Sequence, residues 1–180
     1  MNKADFNKMG YVTSQNSRDS DSWFTPLKYM VSVKKVFGGK IDLDPFSSIA
    51  ANELIGANSF FTSDNSAFDN IWPVVDSVWI NPPYGKLMGK AVAKFIEEYK
   101  AGTFKSGILL CNNSTDTKWF KSLAEYTTAF CFTDHRIAFY NKDSKNMSSN
   151  TRGQIFLYFG QSPNSFKENF SEHGLVLSKF

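Results

Sequence analysis

Cysteine is nearly missing from this chain: there are two in 180 residues, Cys111 and Cys131, each inside an apolar run. Thiols so few and so placed read as buried and free, and they exclude a small disulfide-stapled secreted module. Histidine is equally scarce, at two. The widely spaced histidines and cysteines form no zinc pattern, so no metal is expected. Long hydrophobic runs are lacking too, and none approaches the roughly 20 residues of a bilayer-spanning helix. The opening Met1-Asn2-Lys3-Ala4-Asp5 has no apolar stretch of the kind a secretion signal needs. These absences set the expectation of a cytoplasmic protein without a membrane partner. Strong charge is also wanting. The net charge is +3, and it belongs to the second half: residues 1–90 carry nine basic and nine acidic side chains, residues 91–180 eleven and eight. Such an excess permits nucleic-acid binding without arguing for it.

What the chain has in plenty is phenylalanine, 18 residues, within a hydrophobic content of 42%. That content at this length predicts an aromatic-rich core. Residues 1–21 are polar and aperiodic and read as a flexible arm; residues 22–180 read as a single domain. Thr25 is placed as an N-cap and Pro26 as a first helical residue, opening a helix from Leu27 to Phe37 that Gly38-Gly39 ends. Ile41 to Asp44 reads as a strand, Pro45 stops it, and Ser47 or Ser48 caps a short helix reaching Leu54. A second strand is expected at Ser59–Thr62, leaving through Ser63-Asp64-Asn65-Ser66. Leu87 to Lys100 has helical periodicity, and Ser106 to Cys111 is an apolar strand. Thr115 or Asp116 is expected to cap a helix holding Trp119, Phe120 and Leu123. Strands follow at Thr128–Phe132, Arg136–Tyr140 and Gln154–Phe159, with a short helix within 163–173 and a last strand at Leu175–Leu177. Strands alternating with helices predict an α/β fold with a largely parallel sheet. The late strands have little helix between them, which predicts hairpin pairing at one end and a mixed sheet.

The most informative stretch is Asn81-Pro82-Pro83-Tyr84. It follows the β-forming run Asp76-Ser77-Val78-Trp79-Ile80 and precedes a helix. Two prolines impose a rigid, extended turn and bring no N–H of their own, so the carbonyls there are free to face a ligand. An Asn amide, a carbonyl and an aromatic ring together hold a flat, amine-bearing group by hydrogen bonds and stacking. The same four residues also suit an ordinary strand-to-helix loop. Two further strands leave through acids, at Asp44-Pro45-Phe46 and Asp64-Asn65. In a doubly wound sheet such exits share one edge and one cleft.

This combination resembles the S-adenosylmethionine-dependent amino-methyltransferases, and more closely the small phage-type DNA N6-adenine methyltransferases. The resemblance rests on Trp23-Phe24-Thr25-Pro26, Asp42-Leu43-Asp44-Pro45, Val78-Trp79-Ile80-Asn81-Pro82-Pro83-Tyr84, Ser114-Thr115-Asp116-Thr117-Lys118-Trp119-Phe120 and Arg136-Ile137-Ala138-Phe139, in that order over residues 22–160. It implies a Rossmann-like methyltransferase fold with a mixed, mostly parallel sheet and flanking helices. Only 37 residues separate Asp44 from Asn81 (81 − 44). That leaves room for one intervening strand, so the sheet is trimmed.

The resemblance also implies roles. Asn81 and the Pro82 carbonyl would accept from the exocyclic amine of a target adenine, and Tyr84 would stack on it. Trp23, Thr25, Pro26, Asp44, Pro45 and Asp64 would hold S-adenosylmethionine. Pro83, Asp116, Trp119, Arg136, Lys142, Lys145 and Arg152 would meet double-stranded DNA, with loops 112–119 and 141–152 standing in for a separate recognition domain. Trp119 reads more readily as a core residue of an amphipathic helix, Arg136 also suits a surface pair with Asp134, and Lys142, Lys145 and Arg152 equally suit a solvated loop. The Gly-rich turn usual after the first strand is replaced by Pro45-Phe46-Ser47-Ser48. Two rival functions stay open: methylation of an RNA amine or a protein glutamine, and a phage DNA-binding module without catalysis. For a phage enzyme, the implied use is protection against restriction in the host cytoplasm.

Overall fold

A computed structural model gives the architecture and describes residues 24–139 and 151–179. Trp23, Lys142 and Lys145 therefore lie outside the described residues. Seven strands form one sheet: β1 (Ile41–Asp44), β2 (Ala57–Phe60), β3 (Val75–Ile80), β4 (Phe104–Asn112), β5 (Ala129–Thr133), β6 (Gln154–Phe159) and β7 (Gly174–Ser178). Their spatial order is β2-β1-β3-β4-β6-β5-β7. β2, β1, β3 and β4 run parallel, β6 is antiparallel to both β4 and β5, and β7 is antiparallel to β5. Five strands of the seven thus point one way, and the antiparallel pairing sits at the late-strand end, as the sequence pattern predicts. A single strand, β2, separates β1 from β3 along the chain.

The helices are α1 (Leu27–Val36), α2 (Ile49–Ile55), α3 (Met88–Lys100), α4 (Lys118–Tyr126) and α5 (Pro163–Phe170). They cover both faces of the sheet. Tyr29, Met30 and Val33 of α1 and Phe166 and Phe170 of α5 pack with Trp79, Ile108 and Phe156 on one face. Val92, Phe95 and Ile96 of α3 and Phe120 and Leu123 of α4 pack with Val78, Leu109 and Leu157 on the other. Each large side chain buried this way contributes roughly 1.5–3 kcal/mol. The aromatic-rich core is real: Phe95 meets Phe104 at 5.0 Å and Phe159 at 4.9 Å between ring centres.

Four local expectations are corrected. Thr25 does not cap α1; Pro26 is the N-cap and no side chain caps the helix. The cap of α4 is Thr117, whose hydroxyl accepts from the Phe120 N–H, rather than Thr115 or Asp116. β2 begins two residues earlier than expected, at Ala57, where Asn52 bonds both backbone groups and fixes the strand start. Residues 136–139 form no strand. Their alternation is real burial, since Ile137 and Phe139 enter the core, but β5 is already flanked by β6 and β7.

Candidate active site

Four parallel strands bring their carboxyl ends to one edge of the sheet, and the chain leaves that edge at Asp44, Phe60, Ile80 and Asn112. β1 and β3 are neighbours, with Leu43 opposite Val78. Asp42 locks that register. Its Oδ2 accepts from the Ser77 N–H at 3.1 Å and the Ser77 hydroxyl at 3.0 Å, while its Oδ1 accepts from Asn58 at 3.1 Å and pairs with Lys40 at 2.9 Å. Burial opposes charge on Asp42, but the bonds from Lys40 and Ser77 outweigh it and hold the carboxyl below its ordinary range. The clamp fixes where β1 ends relative to β3, and so where Asp44 stands relative to Asn81.

Asp44 is 1% exposed. Burial pushes its pKa up to about 7; the Phe46 N–H, donating to Oδ1 at 3.2 Å, and the Ser47 side chain offset this only in part. Pro45 behind it is buried, whereas Asp64 lies exposed in the bend that follows β2.

Asn81 leaves β3 directly. Its Nδ2 donates to the Thr25 hydroxyl at 3.4 Å, so the start of α1 comes to the end of β3. Its Oδ1 is buried and has no partner among the described residues. An unpaired buried acceptor costs about 1–3 kcal/mol and calls for a reason. No described group donates to the Pro82 carbonyl either. The Trp79 indole N–H, two residues back, is likewise buried without a partner.

Tyr84 opens the 3-10 turn Gly85–Leu87, and the residue is 39% exposed. Its hydroxyl turns inward and donates to Gln154 Oε1 at 3.3 Å. Burial pushes the phenol pKa well up, and the Cys111 thiol adds to the shift. Gln154 in turn donates from Nε2 to Asn112 Oδ1 at 2.6 Å. The structure thus gathers Thr25, Asn81, Pro82 and Tyr84 with Asn112, which the sequence placed in a DNA-reading loop, and Gln154, which sequence reasoning missed. One signal for Gln154 was available: it heads a strand whose five other residues are apolar, and all six are buried.

The remaining candidates lie elsewhere or around the rim. Trp119 lines a groove of about 450 Å³ between α3 and α4, beside Val92, Ile96 and Tyr126, where it packs helix against helix. Asp116 is exposed in the turn before α4. Arg136 and Arg152 are exposed. A methyl group on Gly153 would come within 2.7 Å of Arg136 Nη1 and 2.5 Å of Asn113 Nδ2, so glycine there lets both side chains close over the backbone beside the end of β4.

A family model described as DNA N-6-adenine-methyltransferase (Dam) matches residues 12–172. The chain belongs to this family. Methyltransferases of this kind draw their methyl group from S-adenosylmethionine. No curated protein matches the chain. Among solved structures it is similar to a dimethyladenosine transferase from Plasmodium falciparum, at 11% identity and a TM-score of 0.47, over 82% of this chain and 66% of that one. It is also similar to a precorrin-6y C5,15-methyltransferase from Geobacter metallireducens, at 15% identity and a TM-score of 0.43, over 73% of this chain and 85% of that one. A human methyltransferase 10 domain containing protein matches at 9% identity and a TM-score of 0.41, over 75% and 82% of the two chains. The chain spans just under two thirds of the Plasmodium structure's length.

The Dam-family residues suit their donor. It carries hydroxyls and an ammonium, and this edge holds a buried carboxyl, Asp44, whose oxygens are met by the Phe46 N–H and the Ser47 side chain and keep further acceptor capacity. Among the described residues no cluster of His, Cys, Asp or Glu is arranged to hold a metal ion, and no helix is long and apolar enough to cross a membrane.

Proposed function

We propose that the protein methylates the N6 amine of adenine in double-stranded DNA, with the base turned out of the stack to reach the site. The observation that carries this reading is the buried, partnerless Oδ1 of Asn81, set between Thr25 and the Pro-Pro turn. An aryl amine is a poor nucleophile because its lone pair is delocalised into the ring. Asn81 Oδ1 and the Pro82 carbonyl accept its two hydrogens from outside the ring plane and favour a pyramidal nitrogen with an exposed lone pair. The ring of Tyr84 stacks on the base and fixes its angle. S-adenosylmethionine supplies an electrophilic methyl on a sulfonium sulfur; Thr25, Pro26, Asp44, Pro45 and Asp64 hold it. The N–C bond would form as the methyl's bond to sulfur breaks, its electron pair going to sulfur to leave S-adenosylhomocysteine, and the amine would give up one proton to solvent. Rate arises from orientation and from acceptors already in place, which need no reorganisation.

Arg136 and Arg152, with Lys142 and Lys145, contact phosphates and position the duplex. Pro83 and Asp116 complete the DNA-facing set, and Trp119, packed between α3 and α4, falls outside it. The enzyme works in the cytoplasm, where such a methyl mark shields phage or host DNA from restriction.

The test is substitution at the acceptor. Asn81→Ala lowers methyl transfer by about 10²- to 10³-fold or more, with S-adenosylmethionine affinity by calorimetry changed little. Asn81→Asp, which keeps an acceptor, retains much of the activity. Near-normal turnover by Asn81→Ala would remove the basis of this reading.

A further inference from the structure

The bond from Tyr84 to Gln154 has no evident need in the fold. Gln154 is 2% exposed at the head of an otherwise apolar strand. A leucine would satisfy that position without the penalty of burying an amide. The side-chain amide is nonetheless held at two points, and the backbone beside it at a third. Its Nε2 donates to Asn112 Oδ1 at 2.6 Å across the β4–β6 pair, its Oε1 accepts from the Tyr84 hydroxyl at 3.3 Å, and its backbone carbonyl accepts from the Thr133 hydroxyl at 3.0 Å. Tyr84 has the opposite problem: it is partly exposed, at the mouth of a turn, with only its hydroxyl end turned inward. A ring in that place swings about two side-chain torsions unless its far end is tied.

We propose that Gln154 is a positioning residue for Tyr84, held in turn by Asn112, and that this relay sets the ring plane against which the substrate base stacks. The proposal rests on the DNA-adenine reading above. Gln154 touches neither base nor methyl donor; it acts through the hydroxyl of Tyr84. Gln154 also follows Arg152 and Gly153 directly, so the relay ties the base-stacking ring to the rim where the arginines stand.

The test is a double-variant cycle on the full chain, with unmethylated genomic DNA and radiolabelled S-adenosylmethionine. Tyr84→Phe keeps the ring and removes only the hydroxyl. Gln154→Leu keeps the volume and removes the amide. Each is expected to raise KM for DNA about three- to tenfold, the worth of one hydrogen bond. The value of kcat falls as well, because the base is held less well in line, while the affinity for S-adenosylmethionine stays near wild type. The double variant is no worse than either single one, because both remove the same bond. A purely structural role for Gln154 would give losses that add, and that result overturns the relay. Tyr84→Phe lies at an exposed turn and tests the same bond without disturbing the sheet, so a wild-type KM in that variant overturns it too. A wild-type chain that labels no adenine overturns the reading itself, and the relay with it.

Discussion

Asp44 stands at the end of β1 with its carboxyl buried and its pKa pushed up to about 7, against an ordinary 3.8. The sign of the consequence is fixed by linkage. Between about pH 4 and pH 7 the unfolded chain has already lost this proton and the folded chain still holds it. The free protein therefore loses stability as pH rises through that window, with no further loss from this group above it. Asp44→Asn should flatten that slope and raise the melting temperature at pH 7.5 in the absence of ligand, each pKa unit being worth about 1.4 kcal/mol. It should also weaken S-adenosylmethionine, because the proposed function assigns this carboxyl to holding the donor. Melting curves from pH 4 to 8 check the first point and calorimetry the second; an unchanged slope in Asp44→Asn would contradict the assignment. At this level the motif Asn81-Pro82-Pro83-Tyr84 was legible in sequence, since two prolines after a strand leave few conformations open. Gln154 was not, because its meaning comes from Tyr84, 70 positions away. Thr25 was misread for a related reason. A threonine before proline suits a helix cap, and only the folded chain shows its hydroxyl taken by Asn81.

The clamp between β1 and β3 makes the site an affair of paired strands as much as of single side chains. Asp42 answers the Ser77 N–H and hydroxyl in one direction and Lys40 and Asn58 in the other. Asp42→Ala leaves buried donors of Ser77 unpaired and should cost about 2–4 kcal/mol of stability. It should also lower kcat, since the ends of β1 and β3 lose their common register. Chemical denaturation measures the first effect, and a loss below about 0.5 kcal/mol would show that the strands hold register without the clamp. The elements themselves were largely readable. Period-2 and helical patterns matched β1, α3 and β6 nearly residue for residue, and α5 in its start but not its end. The failure at 136–139 is instructive: Ile137 and Phe139 alternate inward as a strand would, yet alternation reports burial and cannot report whether a neighbouring edge is free. β5 is paired on both sides, so that extended segment packs without joining the sheet.

Seen as one body, the chain is a seven-stranded sheet between two helical layers, with its chemistry confined to the edge where the parallel strands end. Sequence carried the order of strands and helices and the short span from Asp44 to Asn81, which admits one strand and no more. It could not carry which helices share a face, nor that β6 enters beside β4 and delivers Gln154 to Tyr84. Those depend on long-range packing among many similar apolar side chains, which composition does not distinguish. The same geometry concentrates the account into one claim: adenine in DNA is the acceptor of the methyl group. The direct measurement is transfer from radiolabelled S-adenosylmethionine to unmethylated double-stranded DNA, followed by digestion to nucleosides and chromatography. The account predicts label in N6-methyl-deoxyadenosine; label confined to RNA, to protein or to another base would contradict it.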